Sequence, residues 1–268
     1  MRLPKTSRRP CAPLGELYLG RGDYVAGGAQ SLPFLDLDGA RRRRPLVFGQ
    51  VTDDLSSYPS LAADMFSGRQ TDPEEWAVMW KEIGADGVWI DLRSGNPEIV
   101  RRICERTRLP VAVSADDDVL EEVSRIDDCS MILIGRNGPY GGPRGRHATA
   151  VGGYTADEIS ERCSAAGDGQ DIVIDLGEFS MGQGLSRSVE LAENVRRRAL
   201  NGDTTLRHPT MCSTVRCWDA GFPDARAASM WEAEAALAAM MAGTDILIMR
   251  GPGAGDMARV YGEELADL

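Results

Sequence analysis

A short apolar run followed by a helical pattern recurs about eight times along this chain, and no other feature constrains the fold as strongly. The runs fall at 45–52, 87–92, 110–114, 130–135, 148–151, 171–176, 209–215 and 245–249. Apolar runs of this length, bounded by turn residues, suit strands buried on both faces. The clearest helix between them opens with Thr71 or Asp72 as cap, Pro73 at the first helical position and Glu74 and Glu75 in the first turn. That order satisfies the free N–H groups and favours the helix dipole. Trp76, Met79, Trp80 and Ile83 make its apolar face, and Gly84 ends it. Tyr154-Thr155-Ala156-Asp157-Glu158 begins another helix with a start like a capping box. Strands alternating with helices build parallel sheets, and about eight repeats predict a closed (β/α)8 barrel. An open doubly wound sheet is the alternative, but it needs fewer strands.

The pattern stutters once. Residues 136–147 are rich in glycine and proline and show no helical period, so the helix between the fourth and fifth strands is expected to be missing. The terminal helix is expected over about 256–265. The chain divides into a basic arm, residues 1–44, and a barrel, residues 45–268. The arm carries nine Lys/Arg against four Asp/Glu, and the remainder 21 against 37. Within the arm, residues 31–37 alternate weakly and could supply a hairpin strand over something apolar. The run Arg41 to Arg44 reads as a solvated edge or as a clamp onto the acidic body.

Several chemistries are excluded. A net charge of -11 argues against nonspecific binding to nucleic acid, which needs clustered cations. No apolar run reaches the ~18 residues of a membrane span, and no apolar segment follows the basic N-terminus to make a secretory signal. Six cysteines without dense spacing do not make a disulfide scaffold. These readings give a soluble, cytoplasmic protein. Lysine occurs only as Lys5 and Lys81, neither at a barrel strand, so a Schiff-base lysine is excluded. No phosphate-binding Gly-Lys-Ser/Thr and no dinucleotide Gly-x-Gly-x-x-Gly stands where it would be needed. Two histidines are too few for a His-rich metal site, and Cys212 and Cys217 fall short of the four thiolates of an iron-sulfur cluster.

Function in such folds sits in the loops after the strands. The loop at 177–184 follows the sixth strand and combines glycines with an acid, a hydroxyl and two apolar side chains. Gly251, Gly253 and Gly255 precede the last helix and could cradle a phosphate, although glycines there also simply shorten a turn.

Particular segments also resemble a known family. They are Gly27-Gly28-Ala29-Gln30-Ser31-Leu32-Pro33-Phe34, Gly84-Ala85-Asp86, Leu92-Arg93-Ser94-Gly95-Asn96-Pro97-Glu98, Val173-Ile174-Asp175 with Met181-Gly182-Gln183-Gly184-Leu185, and Ala242-Gly243-Thr244-Asp245-Ile246-Leu247-Ile248-Met249-Arg250. In this order they resemble the small subunit of the corrinoid iron-sulfur protein, which is the delta subunit of the acetyl-CoA decarbonylase/synthase complex. The chain departs from that family at 137–143 and at 251–255, and it is shorter. The resemblance implies a TIM barrel related to pterin-binding methyltransferases. It also implies a large partner subunit that carries a corrinoid and a [4Fe-4S] cluster, with no cluster in this chain and a hetero-oligomer as the assembly.

On that resemblance the expected function is corrinoid-dependent methyl transfer, with a methyl group passing between a tetrahydropterin or tetrahydrofolate and a corrinoid cobalt. Phe179, Ser180, Met181, Gly182 and Gly184 are expected to form the rim that meets the corrinoid and its carrier. Asp91, Asn96 and Asp175, at or just beyond strand ends, could accept hydrogen bonds from the amino and ring N–H groups of a pterin. Structural ion pairs with Arg93 or Arg136 are the competing role. Two alternatives stay open: a scaffold that covers the corrinoid protein without catalysis, and a phosphate-binding barrel enzyme unrelated to corrinoids.

Overall fold

The computed structural model describes residues 11–35, 40–142, 146–167, 169–180 and 184–267. A hairpin of β1 (Glu16–Leu19) and β2 (Tyr24–Gly27) comes first. Eight parallel strands follow: β3 (Leu46–Thr52), β4 (Gly87–Asp91), β5 (Val111–Ala115), β6 (Met131–Gly135), β7 (Ala148–Gly152), β8 (Ile172–Glu178), β9 (Thr210–Ser213) and β10 (Ile246–Met249). They close in sequence order, with β10 pairing back onto β3, so the chain is a (β/α)8 barrel.

The helices are α1 (Ser60–Ala63), α2 (Pro73–Glu82), α3 (Pro97–Thr107), α4 (Asp117–Val123), α5 (Ala156–Ala166), α6 (Leu185–Leu200), α7 (Ala225–Met241) and α8 (Pro252–Asp267). Their starts follow from capping. Asp72 accepts from the N–H of Glu74 at 2.9 Å, and Thr155 accepts from that of Glu158 at 3.2 Å. Glu158 reaches back to the N–H of Tyr154 at 2.8 Å, which completes the start read from the sequence. Among the described residues, none between β6 and β7 is helical. Gly135 lies against the carbonyl of Gly138, where a Cβ would collide, so the chain folds back over the end of β6. Tyr140 is buried with the side chains of the neighbouring helices and covers the wall that a helix would cover elsewhere.

Alternation along each strand sorts the core into two layers. Val88 and Ile90 of β4 and Ile172, Ile174 and Leu176 of β8 face the helices. Phe48, Ala112, Ile132, Ala150, Val173, Met211 and Ile248 face inward and fill the barrel. Leu17, Leu19 and Ala26 of the hairpin join that inner cluster, so the hairpin plugs the amino-terminal mouth. The strand expected within 31–37 is not formed at 31–35, which is turn, and 36–39 lie outside the described residues. Arg44 clamps Asp86 with two bonds of 2.6 and 2.7 Å, whereas Arg41 and Arg43 both hold Glu16 of the hairpin.

Candidate functional site

With the lower mouth plugged, the carboxyl ends of the strands are left for function. A cleft of about 1050 Å³ opens there over β6, β7 and β8, against the first half of α6. The segment after β6, where a helix is missing, forms one wall with Arg136, Asn137, Gly138 and Pro139. Asp175 and Glu178 of β8 form the wall opposite, beside Arg187 of α6.

Asp175 follows Val173 on the inward face of β8. Its Oδ1 accepts from the N–H of Gly177 at 2.8 Å. Burial raises its pKa above the ordinary carboxylate value, only partly offset by that bond. Glu178 is the less expected member. By strict alternation it would share the helix-facing side with Leu176. Instead the pairing of β8 with β9 slips between Asp175 and Glu178, and Gly177 takes a φ of +75°. Glycine with positive φ inside a strand is the mark of a bulge, which re-aims the residues after it. Glu178 thereby lines the cleft beside Asp175. Burial pushes its pKa up to about 7, the charge of Asp175 adds to the rise, and Ser213 and Arg216 moderate it. Its Oε2 is buried without a hydrogen-bond partner. A carboxyl in such a place can keep its proton near neutrality and give it up to a bound molecule.

The other expected site residues fare differently. Asp91 ends β4 on the inward face, but both its oxygens are engaged. Oδ1 takes Arg136 at 2.8 Å and Oδ2 takes Arg93 at 2.7 Å. That is the ion-pair role weighed against ligand binding, and through it Arg136 is fixed at the cleft wall. Asn96 caps α3, accepting from the N–H of Glu98 at 3.1 Å.

The expected corrinoid rim is corrected in part. Phe179 is fully buried in the core between barrel and helices, and Ser180 is buried too, so neither offers an exposed tip. The pattern misleads here because a bulge precedes Phe179 and turns it back under the wall. Met181 and Gly182 lie outside the described residues. Gly184 stands before α6 with a φ of +98° and lines the cleft.

The glycine run 251–255 does not form an open loop. The last helix begins at Pro252 rather than near 256, so Gly253 and Gly255 lie inside α8. Gly251 donates its N–H to the buried Glu232 at 2.8 Å, and Glu232 also takes the N–H of Arg250, the Trp218 indole and the Thr214 hydroxyl. A carboxylate of the protein already occupies the position of the expected phosphate.

Comparison with known proteins agrees with this architecture. The family described as "CO dehydrogenase/acetyl-CoA synthase delta subunit" matches residues 152–257, a span that holds β8, α6 and the cleft acids. The chain is 27% identical over 180 residues to acetyl-CoA decarbonylase/synthase complex subunit gamma 2 of Methanosarcina thermophila, covering 66% of this chain and 36% of that protein. It is 23% identical over 260 residues to the delta subunit of the same complex from Methanothermobacter thermautotrophicus, covering 82% of this chain and 67% of that one. The aligned part thus spans about a third of the length of the gamma relatives it matches. Among solved structures, dihydropteroate synthase from Thermus thermophilus superposes with a TM-score of 0.57 at 18% identity, covering 93% of this chain and 99% of the other. The Coxiella burnetii dihydropteroate synthase in complex with pteroic acid gives a TM-score of 0.59 at 15% identity, covering 94% and 99%. At such identities the likeness establishes the barrel alone.

Proposed function

Because the chain belongs, at modest identity, to the family of acetyl-CoA decarbonylase/synthase subunits, we propose that it is the barrel component of a corrinoid-dependent methyl-transfer system. In this reading the cleft over β6–β8 receives a methylated tetrahydropterin or tetrahydrofolate, and a partner subunit presents the corrinoid cobalt. The observation that carries it is Glu178, a carboxyl with a pKa of about 7 and an unpartnered oxygen, set beside Asp175 in a cleft wide enough for a bicyclic ring.

The chemistry explains why that pair suits the task. A methyl group leaves a tertiary ring amine readily only if the nitrogen gains a proton as the bond breaks. A donor whose pKa lies near the working pH serves best. Glu178 meets that condition as the proton donor. Asp175, with Oδ1 engaged by Gly177, keeps its other oxygen to accept from the ring's amino and N–H groups. Arg136, held by Asp91, forms the facing wall and supplies a fixed positive charge. The corrinoid half of the reading rests on kinship with subunits of the complex. The buried Phe179 and Ser180 lend it no support, and Gly184 remains as a cleft-edge contact.

Calorimetry with 5-methyltetrahydrofolate, and with its methanopterin counterpart, tests the proposal. Saturable binding that weakens more than about tenfold, ~1.4 kcal/mol, in Asp175→Asn is expected. Absence of binding of either compound by the unaltered chain would leave only the scaffold alternative.

A further inference from the structure

At the opposite end of the barrel a second, much smaller cavity lies between the arm and the turn entering β10. Its volume is about 40 Å³. An enclosed water needs roughly 10–15 Å³ on this measure, so the space suits one small tetrahedral ion or about three waters. Arg41, Arg42, Arg43 and Arg196 line it, and Asp245 is the one carboxylate among its described lining residues.

Arg196 projects from α6 and is only 3% exposed. Its Nη2 is fully engaged by Asp245 at 2.7 Å, by Thr210 at 3.3 Å and by the carbonyl of Gly243. Its Nε and Nη1 are buried with no acceptor. The pairing with Asp245 therefore explains one nitrogen of the guanidinium and leaves two unexplained. On the same cavity the Ser31 hydroxyl, in a residue 5% exposed, also has no partner. The Thr244 hydroxyl has only the poorly accepting Cys212 thiol beside it. Gly243 takes a φ of +96°, and a Cβ there would lie 2.9 Å from Arg196 Nε, so glycine makes room for the buried cation.

Buried polar groups without partners are rare, because each forfeits its hydration with nothing in return. Here they gather from α6, the arm and the β10 turn on a single cavity. They are donors, or hydroxyls that can donate, around a positive charge. A ligand that only accepts, and carries negative charge, satisfies all of them at once. We infer that this cavity binds a tetrahedral oxyanion of the phosphate class, which ties the arm to the barrel wall. The site is remote from the cleft, and nothing in the proposed methyl transfer uses it.

The test is the melting temperature of the whole chain, followed against inorganic phosphate with chloride as the control at equal ionic strength. A saturable rise in phosphate, absent in chloride, is expected. Ser31→Ala removes an unpartnered hydroxyl, so its melting temperature in chloride should match or exceed the unaltered chain's, while its apparent phosphate Kd rises at least threefold. Arg196→Met should abolish the phosphate response. If that variant does not fold, Ser31→Ala still decides. Methyl phosphate distinguishes the two sources of the anion: tighter binding than phosphate identifies a phosphate ester as the ligand, and equal or weaker binding identifies the free ion. No saturable phosphate effect in the unaltered chain, or an equal effect in Ser31→Ala, overturns the inference.

Discussion

Replacing Glu178 by Gln isolates the energetic cost of the cleft acid. The carboxyl moves from an ordinary 4.5 to about 7 on folding. Each step of one in pKa corresponds to ~1.4 kcal/mol, so the charged form is disfavoured in the folded state by about 3 kcal/mol. The sign follows from the direction. A group whose pKa rises on folding binds more protons in the folded chain between pH 4.5 and 7. Its favourable contribution is complete below 4.5 and is lost as the pH climbs through 7. Glutamine carries the same shape without the charge. Glu178→Gln should therefore match the unaltered chain at pH 4.5 and exceed it at pH 8 by up to about 3 kcal/mol, an upper bound because the side chain is only partly enclosed and water recovers some of the cost. Urea unfolding of both chains at several pH values measures this, and titrating groups that do not interact with Glu178 cancel in the difference. A constant difference between pH 4.5 and pH 8 would refute the raised pKa, and with it the role of Glu178 as a proton donor near neutrality.

Two further outcomes separate structure from binding. Asn96→Ala should lower stability by about 1 kcal/mol through loss of the α3 cap, while calorimetric affinity for 5-methyltetrahydrofolate stays unchanged, since the side chain is committed to the N–H of Glu98. Gly49→Ala places a methyl group inside the Trp80 indole, so a thermal melt should show a loss of ~1–3 kcal/mol from overpacking at the junction of β3 and α2.

The barrel was legible because its strands are continuous apolar runs and its helices open with explicit caps such as Asp72 and Thr155. The stutter at 136–147 was legible for the same reason, since glycine and proline cannot sustain a helix there. The site was harder to read. Period-two alternation puts Asp175 on the inward face, where the structure has it, but puts Glu178 on the wrong side and gives no warning that Phe179 turns back among the helix-facing residues. Only Gly177, an isolated glycine near the end of a strand, signalled the bulge. Gly251 misled because a glycine run looks alike whether it cradles an anion or packs under a buried glutamate. The deciding partner, Glu232, lies 19 residues away on α7. Asp91 showed its acid in the sequence, but its ion pairs with both Arg93 and Arg136 form only when the strands come together.

The missing helix has a consequence for how the barrel breathes. β6 and β7 register through just two residue pairs, Ile132 with Ala148 and Leu133 with Thr149. The flanking seams β5–β6 and β7–β8 register through five and four. A hydrogen-bonded seam that is short and lacks a helical brace opens at the smallest free energy. Amide exchange should thus be fastest along this line, and the ring would part there first, like a hoop at its clasp. The same line forms the floor of the cleft beneath Arg136, opposite Asp175. Transient parting of β6 from β7 would widen the cleft sideways, letting a flat molecule enter without displacing α6.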